Sequence, residues 1–386
     1  MKDIAREWLA AAVARRLRRD PVVMLLGPRQ CGKTTLARRI VAGRKATLLD
    51  LENPADRARL QEPMTALRDL RGLVVIDEAQ LQPSLFPVLR VLADRAPLPA
   101  RFLLLGSAAP ELARDVAESL AGRVGIVSMA GFDLGEVGAD AQATLWLRGG
   151  FPRAFLARGH AASCAWRRDF VQTFLERDLA RLGVNVSPQS LRRLWLMAAH
   201  HHGQILNASE LGRSLGEAHT TIRRHLELLC GSYVMRLLPP WFENLAKRQV
   251  RSPKLYVRDS GLLHTLLGID SAAALQSHPK LGASWEGFAV EQILSVTGDR
   301  DAYFWGSQAG AELDLLIMRD GRRFGVECKY ADAPALTKSM HIARAELQLD
   351  RLWVVHPGDE EYPLQEWAAA TGLPRLLDLL RQPRWT

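Results

Sequence analysis

One short run of residues has the composition of a phosphate-binding loop. It matches G-x-x-x-x-G-K-[ST] in full, follows an apolar run and opens a helical stretch. Glycines let backbone N–H groups face phosphate oxygens, and the helix N-terminus adds its dipole. Lys33 would reach the β- and γ-phosphates, and the Thr34 hydroxyl would hold Mg²⁺. The predicted nucleotide-binding residues are Gly27, Pro28, Arg29, Gln30, Cys31, Gly32, Lys33, Thr34 and Thr35.

Two acidic residues could bind Mg²⁺ and activate water, which a phosphate-binding loop alone does not do. Asp77 and Glu78 follow the apolar run Leu73–Ile76, and ligands of α/β proteins bind at the carboxyl ends of strands. Asp77 would contact Mg²⁺ through water, and Glu78 would polarise the attacking water, which predicts a hydrolase. A helix cap is the alternative role for this acidic pair. Ser107, at the end of LLLGS, is expected to be a polar sensor or the cap of the next helix.

An arginine from a neighbouring subunit often completes sites of this kind. Arg123, in SLAGR, is a candidate arginine finger toward such a subunit. An ordinary surface arginine is the equal alternative. The first interpretation implies a homo-oligomer.

A second set of charged residues lies late in the chain. Asp314 precedes the apolar run LLIM, Asp320-Gly321 predicts a turn, and Glu327 and Lys329 lie on the returning strand. Residues two apart share a strand face, so the hairpin would bring the three side chains together. Two carboxylates can hold Mg²⁺ while a lysine steadies a phosphoryl transition state. Glu286 on the preceding helix would complete this nuclease-type set; a decayed site or a salt-bridged hairpin is the alternative.

The middle of the chain predicts a DNA-binding module. Residues 205–229 have the pattern of a helix-turn-helix, and Ser232–Trp241 would supply the strand of a wing. A packing module within an ATPase is the alternative. A basic stripe from Arg236 to Arg258 contains one acid and interleaved aromatic residues. This composition is typical of a segment that contacts a nucleic-acid backbone, or of a linker between domains. The candidate nucleic-acid residues are Thr220, Thr221, Arg223, Arg224, Lys247, Arg248, Arg251 and Lys254.

The elements that must position these residues indicate an α/β protein. Strands are expected at 22–26, 46–52, 73–80 and 101–108, with helical patterns between them, which predicts a parallel sheet. The region 134–202 is expected to be helical. From about Ala283 the pattern is a helix, two short strands and α/β again. The 386 residues therefore divide into predicted domains 1–135, 136–240 and 241–386.

Composition narrows the class of protein and its partners. Hydrophobic residues form 48% and charged residues 24% of the chain, which excludes disordered, collagen-like and coiled-coil chains. The net charge of +9 favours a nucleic-acid partner, although the excess of arginine over lysine also fits a genome-wide bias. No apolar run reaches the ~18 residues of a spanning helix, and the first residues lack a signal peptide's apolar core. Four widely spaced cysteines predict reduced thiols, so we expect a cytoplasmic protein without a membrane segment.

Several segments together resemble a known family. GPRQCGKTTL, LDLENP, VVIDEAQ, SLAGRV, RGGFPRAFLA, LERDL, SPKLYVRDSGLLH and SWEGF…ELDLLI…VECK are similar to AAA-type P-loop ATPases with a C-terminal domain of unknown function called DUF4143. The resemblance implies an AAA-like ATPase core, a winged-helix-like middle and a C-terminal domain similar to PD-(D/E)xK nucleases. It implies ATP binding at residues 27–35 with Asp77 and Glu78. Leu313 stands before Asp314 where the eponymous motif has proline, which weakens the nuclease assignment.

The favoured hypothesis is an ATP-driven protein that acts on DNA, with ATP and Mg²⁺ as cofactors. A nucleotide-dependent switch that binds another protein and never touches DNA is the second hypothesis. A metal-dependent nuclease regulated by ATP is the third.

Overall fold

A computed structural model describes residues 4–107, 116, 118–179, 186–242 and 250–385. The chain divides into two compact units, Met1–Gly131 with Gly231–Tyr233, and Phe132–Cys230 with Val234–Thr386. The first division lies close to the predicted boundary at 135. The second predicted boundary, at 240, falls inside the second unit.

The first unit is built on a parallel five-stranded sheet with strand order β2-β3-β4-β1-β5. Its strands are β1 (Val22–Gly27), β2 (Ala46–Asp50), β3 (Gly72–Asp77), β4 (Ala100–Ser107) and β5 (Val124–Ser128). Its helices are α1 (Glu7–Arg19), α2 (Lys33–Val41), α3 (Pro54–Arg59), α4 (Pro63–Leu67) and α5 (Leu85–Ala93), with a 3₁₀ turn at Ala79–Leu81. Four of the strands coincide with the predicted apolar runs.

The sheet positions the chemistry through its register. Every residue of β1 is buried because this strand lies inside the sheet between β4 and β5. Gly27 pairs with Ser107, and Asp50 pairs with Asp77. The loop glycine, the acidic pair and Ser107 therefore follow strands that end at one edge. This is the carboxyl edge, where parallel sheets bind ligands.

The second unit begins with helices and a small antiparallel sheet. Its helices are α6 (Leu134–Val137), α7 (Gln142–Arg148), α8 (Pro152–Phe155), α9 (His160–Thr173), α10 (Pro188–His200), α11 (Ala208–Leu215) and α12 (His219–Gly231), with a π-helical turn at Phe174–Asp178. The sheet has the order β6-β8-β7, with strands β6 (Gln204–Ile205), β7 (Met235–Leu238) and β8 (Lys254–Val257). The predicted boundary at 240 separates β7 from β8, which pair along their length. The middle part of the chain therefore extends at least to Val257.

The second sheet of this unit has six strands in the order β13-β14-β12-β11-β10-β9. Its strands are β9 (Ala302–Gly306), β10 (Glu312–Arg319), β11 (Arg322–Cys328), β12 (Arg351–His356), β13 (Glu361–Gln365) and β14 (Ala368–Gly372), and the helices are α13 (Ser260–Leu266), α14 (Ala272–Gln276), α15 (Leu281–Thr297), α16 (Lys338–Leu347) and α17 (Leu373–Leu380). Asp320 and Gly321 have φ of 51° and 75°, as a tight two-residue hairpin turn requires. The strand before this turn starts at Glu312, so Asp314 lies within β10 and not ahead of it.

The remaining sequence expectations concern membranes and thiols. Within the described ranges, no helix combines the length and apolarity that crossing a membrane needs. All four cysteines are free thiols.

Candidate functional site

The phosphate loop connects β1 to α2 and depends on glycine at two positions. A Cβ on Gly27 would lie 2.1 Å from the Met129 carbonyl oxygen, so no larger residue fits there. Gly32 has a φ of 102° and precedes α2, and no side chain caps that helix. The amides of its first turn are therefore available to an anion.

Lys33 is buried below this loop. Its side-chain nitrogen donates to the carbonyl oxygens of Gly27 at 3.0 Å and Pro28 at 2.9 Å. The ammonium group is thus held by the same loop that would bind the phosphates. Arg29 is paired with Glu52 at 2.7 Å.

Thr34 and Asp77 meet where a magnesium ion would bind. The Thr34 hydroxyl donates to Asp77 Oδ2 at 2.6 Å, and Asp77 Oδ1 accepts from the Glu78 N–H at 2.9 Å. Burial raises the pKa of Asp77, the Thr34 hydrogen bond opposes that rise, and the Glu78 carboxylate adds to it. A hydroxyl and a carboxylate in contact are oxygen ligands of the kind that Mg²⁺ prefers, so the residues fit this ion.

Glu78 is held by its neighbours rather than left free. Its backbone is left-handed, with a φ of 53°, which is uncommon for a residue with a side chain. The Ser107 hydroxyl donates to its two carboxylate oxygens at 3.1 and 3.4 Å, and the Gln80 amide also donates to it. Ser107 therefore contacts the carboxylate for which the sequence predicts a role in polarising water.

Sequence reasoning missed two residues of this edge. Asp50 ends β2 opposite Asp77, and its carboxylate contributes to the raised pKa of Asp77. Gln80 contacts Glu78 directly. A signal for Asp50 existed in the sequence, because an acid ends each of two adjacent predicted strands.

Arg123 lies at the other end of the sheet. Its carbonyl oxygen accepts from the N–H of Val22, the first residue of β1, whereas the phosphate loop follows the last residue. Its guanidinium binds the Asp94 carboxylate through two hydrogen bonds of 2.6 and 2.8 Å. Arg123 is therefore no part of this chain's own nucleotide site, and its role toward a neighbouring subunit stays a prediction.

A carboxylate cluster, defined here as Glu286, Glu312, Asp314 and Glu327 with Lys254 and Lys329, forms in the second unit. Leu315 pairs with Val326, so Asp314 and Glu327 are neighbours across the hairpin. Lys329 donates to Glu327 Oε1 at 2.7 Å. Lys254 Nζ donates to Glu286 Oε1 at 2.9 Å and to Asp314 Oδ1 at 3.0 Å, and it also pairs with Glu312. The structure thus brings the predicted nuclease-type set together around an additional lysine.

Burial and the repulsion between carboxylates are the main causes of the shifted pKa values of Glu286 and Glu327. Burial, with the Asp314 carboxylate nearby, raises the pKa of Glu286 to about 7 and that of Glu327 to about 8. Burial alone would lower the pKa of Lys254, but the surrounding carboxylates hold it well above its usual value. Lys254 therefore stays charged.

The position of Lys254 corrects one prediction. The sequence suggested that this lysine contacts DNA, but its side chain is 2% exposed and paired with acids. Two other members of the predicted basic stripe, Arg236 and Arg258, bind the Glu291 carboxylate. They are not free to contact a phosphate backbone, because burial beside an acid satisfies their charge.

The remaining candidate nucleic-acid residues lie on the surface. Thr220, Arg223 and Arg224 are exposed on α12 with Thr221 half-buried, and Arg251 is exposed before β8. Lys247 and Arg248 lie outside the described residues. In the part of the chain that the structure describes, no group of three or more His, Cys, Asp and Glu side chains is arranged to hold a metal ion.

Comparisons with protein-family models divide the chain into three matches. An AAA domain matches residues 19–138, a domain of unknown function called DUF8612 matches 139–273, and DUF4143 matches 281–376. The AAA and DUF4143 matches confirm those parts of the resemblance found in the sequence.

Known relatives are similar over nearly the whole chain. An uncharacterised protein of Mycobacterium tuberculosis is 50% identical over 374 residues, which cover 97% of this chain and 85% of that protein. An uncharacterised protein of Mycobacterium bovis matches with the same identity and coverage.

Among solved structures, the Walker-type ATPase of Pyrococcus abyssi matches with a TM-score of 0.51 and 18% identity, covering 69% of this chain and 96% of that one. This likeness shows a shared fold and confirms the expected P-loop ATPase-like first unit. The RuvB Holliday junction branch migration motor of Thermotoga maritima matches with a TM-score of 0.30 and 17% identity, over 61% of this chain and 90% of that one. That score is too low to support any inference.

Proposed function

The chain belongs to the same family as these mycobacterial proteins and is a nucleotide-binding ATPase of the P-loop class, and from this premise we propose that it hydrolyses ATP with Mg²⁺ and acts on DNA. One observation carries the ATPase proposal. The Thr34–Asp77 contact lies beside the Glu78–Ser107 contact at the carboxyl edge of one sheet. Oxygen ligands for a cation and a carboxylate for activating water would therefore adjoin the phosphate loop.

The side chains would divide the reaction as follows. Thr34 and Asp77 would hold Mg²⁺, which when bound neutralises charge on the phosphate oxygens. Lys33 would exchange its two carbonyl partners for phosphate oxygens, because a charged acceptor binds an ammonium group more strongly. Glu78 would orient a water molecule toward the terminal phosphate, and Ser107 would fix the direction of its carboxylate.

The experiment for this proposal compares two lysines by steady-state ATP hydrolysis. Lys33→Ala should abolish nucleotide binding and hydrolysis. The matched control is Lys45→Ala, since Lys45 is an exposed lysine just before β2, at the opposite edge of the sheet. Equal rates for Lys33→Ala and the control would refute the assignment.

The DNA proposal is supported by the order of elements in the middle of the chain. The order α10-β6-α11-α12-β7-β8, with β8 between β6 and β7 in the sheet, fits a winged helix. In that arrangement α12 is the helix that enters a groove of DNA, and exposed Arg223 and Arg224 would bind phosphates.

The experiment for DNA measures ATPase rate with single-stranded, duplex and branched DNA, and binding at several salt concentrations. A rate that rises with one form of DNA and binding that weakens steeply with salt would support the proposal. No binding even at low salt would favour the alternative, a nucleotide-dependent switch for a protein partner.

A nuclease-like fold is our proposal for the C-terminal part. The helix α15 is followed by β9, β10 and β11, then by α16 and β12, and the neighbouring acids Asp314 and Glu327 lie on the β10–β11 hairpin. This order and placement fit the fold that the sequence resembles. We further propose a homo-oligomer, by analogy with AAA proteins, and light scattering with and without ATP tests it.

A further inference from the structure

The carboxylate cluster contains a cation that belongs to the protein itself. Lys254 comes from β8, in the small three-stranded sheet, and reaches acids on α15 and β10. Its three partners are Glu286, Glu312 and Asp314. An ammonium group has three N–H donors, so one carboxylate is available for each of them.

Both oxygens of Asp314 and one oxygen each of Glu286, Glu312 and Glu327 already have partners. Asp314 Oδ1 accepts from Lys254, and Asp314 Oδ2 accepts from the Cys328 N–H at 2.9 Å. Glu286 Oε1 accepts from both Lys254 and the Tyr256 hydroxyl, the latter at 2.6 Å. Glu327 Oε1 accepts from Lys329, while Glu327 Oε2 is buried with no hydrogen-bond partner among the described residues.

A divalent ion does not fit this arrangement. Such an ion takes oxygen ligands at about 2.0–2.6 Å and needs several of them. It would have to share Asp314 and Glu286 with an ammonium group that is within hydrogen-bond distance of both. Two cations that close together repel strongly where water is excluded. The Glu327 oxygen that has no hydrogen-bond partner would supply only one ligand, whereas such an ion needs several.

We propose that Lys254 is the resident cation of the carboxylate cluster, so that the cluster holds no divalent metal and the nuclease-like fold does not cut DNA. The lysine instead joins β8 to α15 and β10 by ion pairs. This inference rests on the nuclease-like fold proposed above and is independent of the ATPase activity, because it is measured without nucleotide.

The first experiment titrates Mn²⁺ into the full chain carrying Asp77→Asn, which removes the predicted ligand of the nucleotide site. Free Mn²⁺ is counted by electron paramagnetic resonance. We expect no bound Mn²⁺ that depends on Asp314, up to a concentration of about 1 mM. Binding that Asp314→Asn abolishes would overturn the proposal. So would cleavage of DNA in Mn²⁺ that Asp314→Asn abolishes.

The second experiment replaces the lysine in the same background. Lys254→Met removes the ammonium group and should admit one Mn²⁺ per chain, with at least about 10-fold tighter binding than with Lys254 present. Lys254→Arg is the matched control, since it keeps the positive charge and should admit none. A folded Lys254→Met chain that binds no Mn²⁺ would contradict the proposal. If Lys254→Met does not fold, the first experiment decides alone.

Discussion

The carboxylate of Glu78 shows how single residues prepare this site. The backbone of Glu78 is left-handed, so the extended conformation of β3 ends there. Ser107 and Gln80 donate hydrogen bonds to the Glu78 carboxylate. A strained backbone persists only where its surroundings fix it, and such residues concentrate at functional sites. The hydrogen bonds from Ser107 and Gln80 fix the direction of the Glu78 carboxylate.

Ser107→Ala removes one of these hydrogen bonds. We expect the ATPase kcat to fall about 10-fold, which corresponds to ~1.4 kcal/mol, close to the lower end of the range for a hydrogen bond to a charged group. Nucleotide affinity should stay unchanged, because Ser107 acts through Glu78. The control is Ser84→Ala, since Ser84 is exposed and makes no cap hydrogen bond at α5. A fall in affinity without a fall in kcat would show that Ser107 acts on the nucleotide instead.

Glu327 makes stability depend on pH. Burial beside Asp314 raises its pKa to about 8 in the folded chain, against roughly 4.3 in an unfolded chain. The contribution of Glu327 to stability is therefore fully present when the pH is below the pKa of the unfolded chain. It is lost as pH rises through about 8, the pKa of the folded chain. Glu327→Gln should flatten the fall in the free energy of unfolding between about pH 5 and 8, by at most ~1.4 kcal/mol per pH unit.

Chemical denaturation at several pH values measures this slope. The control is Glu366→Gln, since Glu366 is exposed. Identical slopes for Glu327→Gln and wild type would mean that Glu327 is ionised in the folded chain.

At the residue scale, the sequence predicted what is local. The residues from Gly27 to Thr34 form one loop together with the end of β1 and the start of α2, and Asp77 and Glu78 directly follow the apolar residues of β3. The role of Lys254 was not predictable, because its partners lie 32 and 60 residues away along the chain. The sequence suggested that Lys254 contacts phosphates, but in the fold this lysine is buried and forms ion pairs.

At the scale of elements, the prediction to test is that α12 contacts DNA. Arg223 and Arg224 are exposed on this helix, and each phosphate contact contributes about 0.9 to the dependence of log K on log salt for duplex DNA. Replacing both arginines with glutamine should lower that slope by roughly 1.8 and weaken binding across all sequences.

The control for this pair is another pair of the same kind. Arg192 and Arg193 are consecutive and exposed on α10, outside the helix expected to contact DNA. Their replacement with glutamine should leave the slope close to that of wild type. Equal effects of the two double variants would mean that the chain binds DNA through its net charge and not through α12.

The helices and strands were predictable where the local sequence alone indicates the structure. Strands β1, β3 and β4 are apolar runs that a parallel sheet buries, and Asp320-Gly321 alone predicts the hairpin turn. Strand β5 was missed because its five residues are partly exposed at the sheet edge and include Gly125. The predicted boundary at 240 does not reflect the pairing of β7 with β8, because that pairing joins residues 16 or more apart, which no local pattern reveals.

At the scale of the whole molecule, we propose that one chain carries an ATPase unit and a unit with a helix that contacts DNA and a nuclease-like sheet. The main proposal is hydrolysis by the first unit, with Glu78 acting on water. Glu78→Gln tests it most directly, because glutamine keeps the size of the side chain and its hydrogen bond from Ser107 but cannot accept a proton from water. The measurement pairs equilibrium ATP binding with steady-state hydrolysis in Mg²⁺. The account predicts unchanged binding and hydrolysis slowed by roughly 10²-fold or more, whereas wild-type hydrolysis by this variant would contradict it.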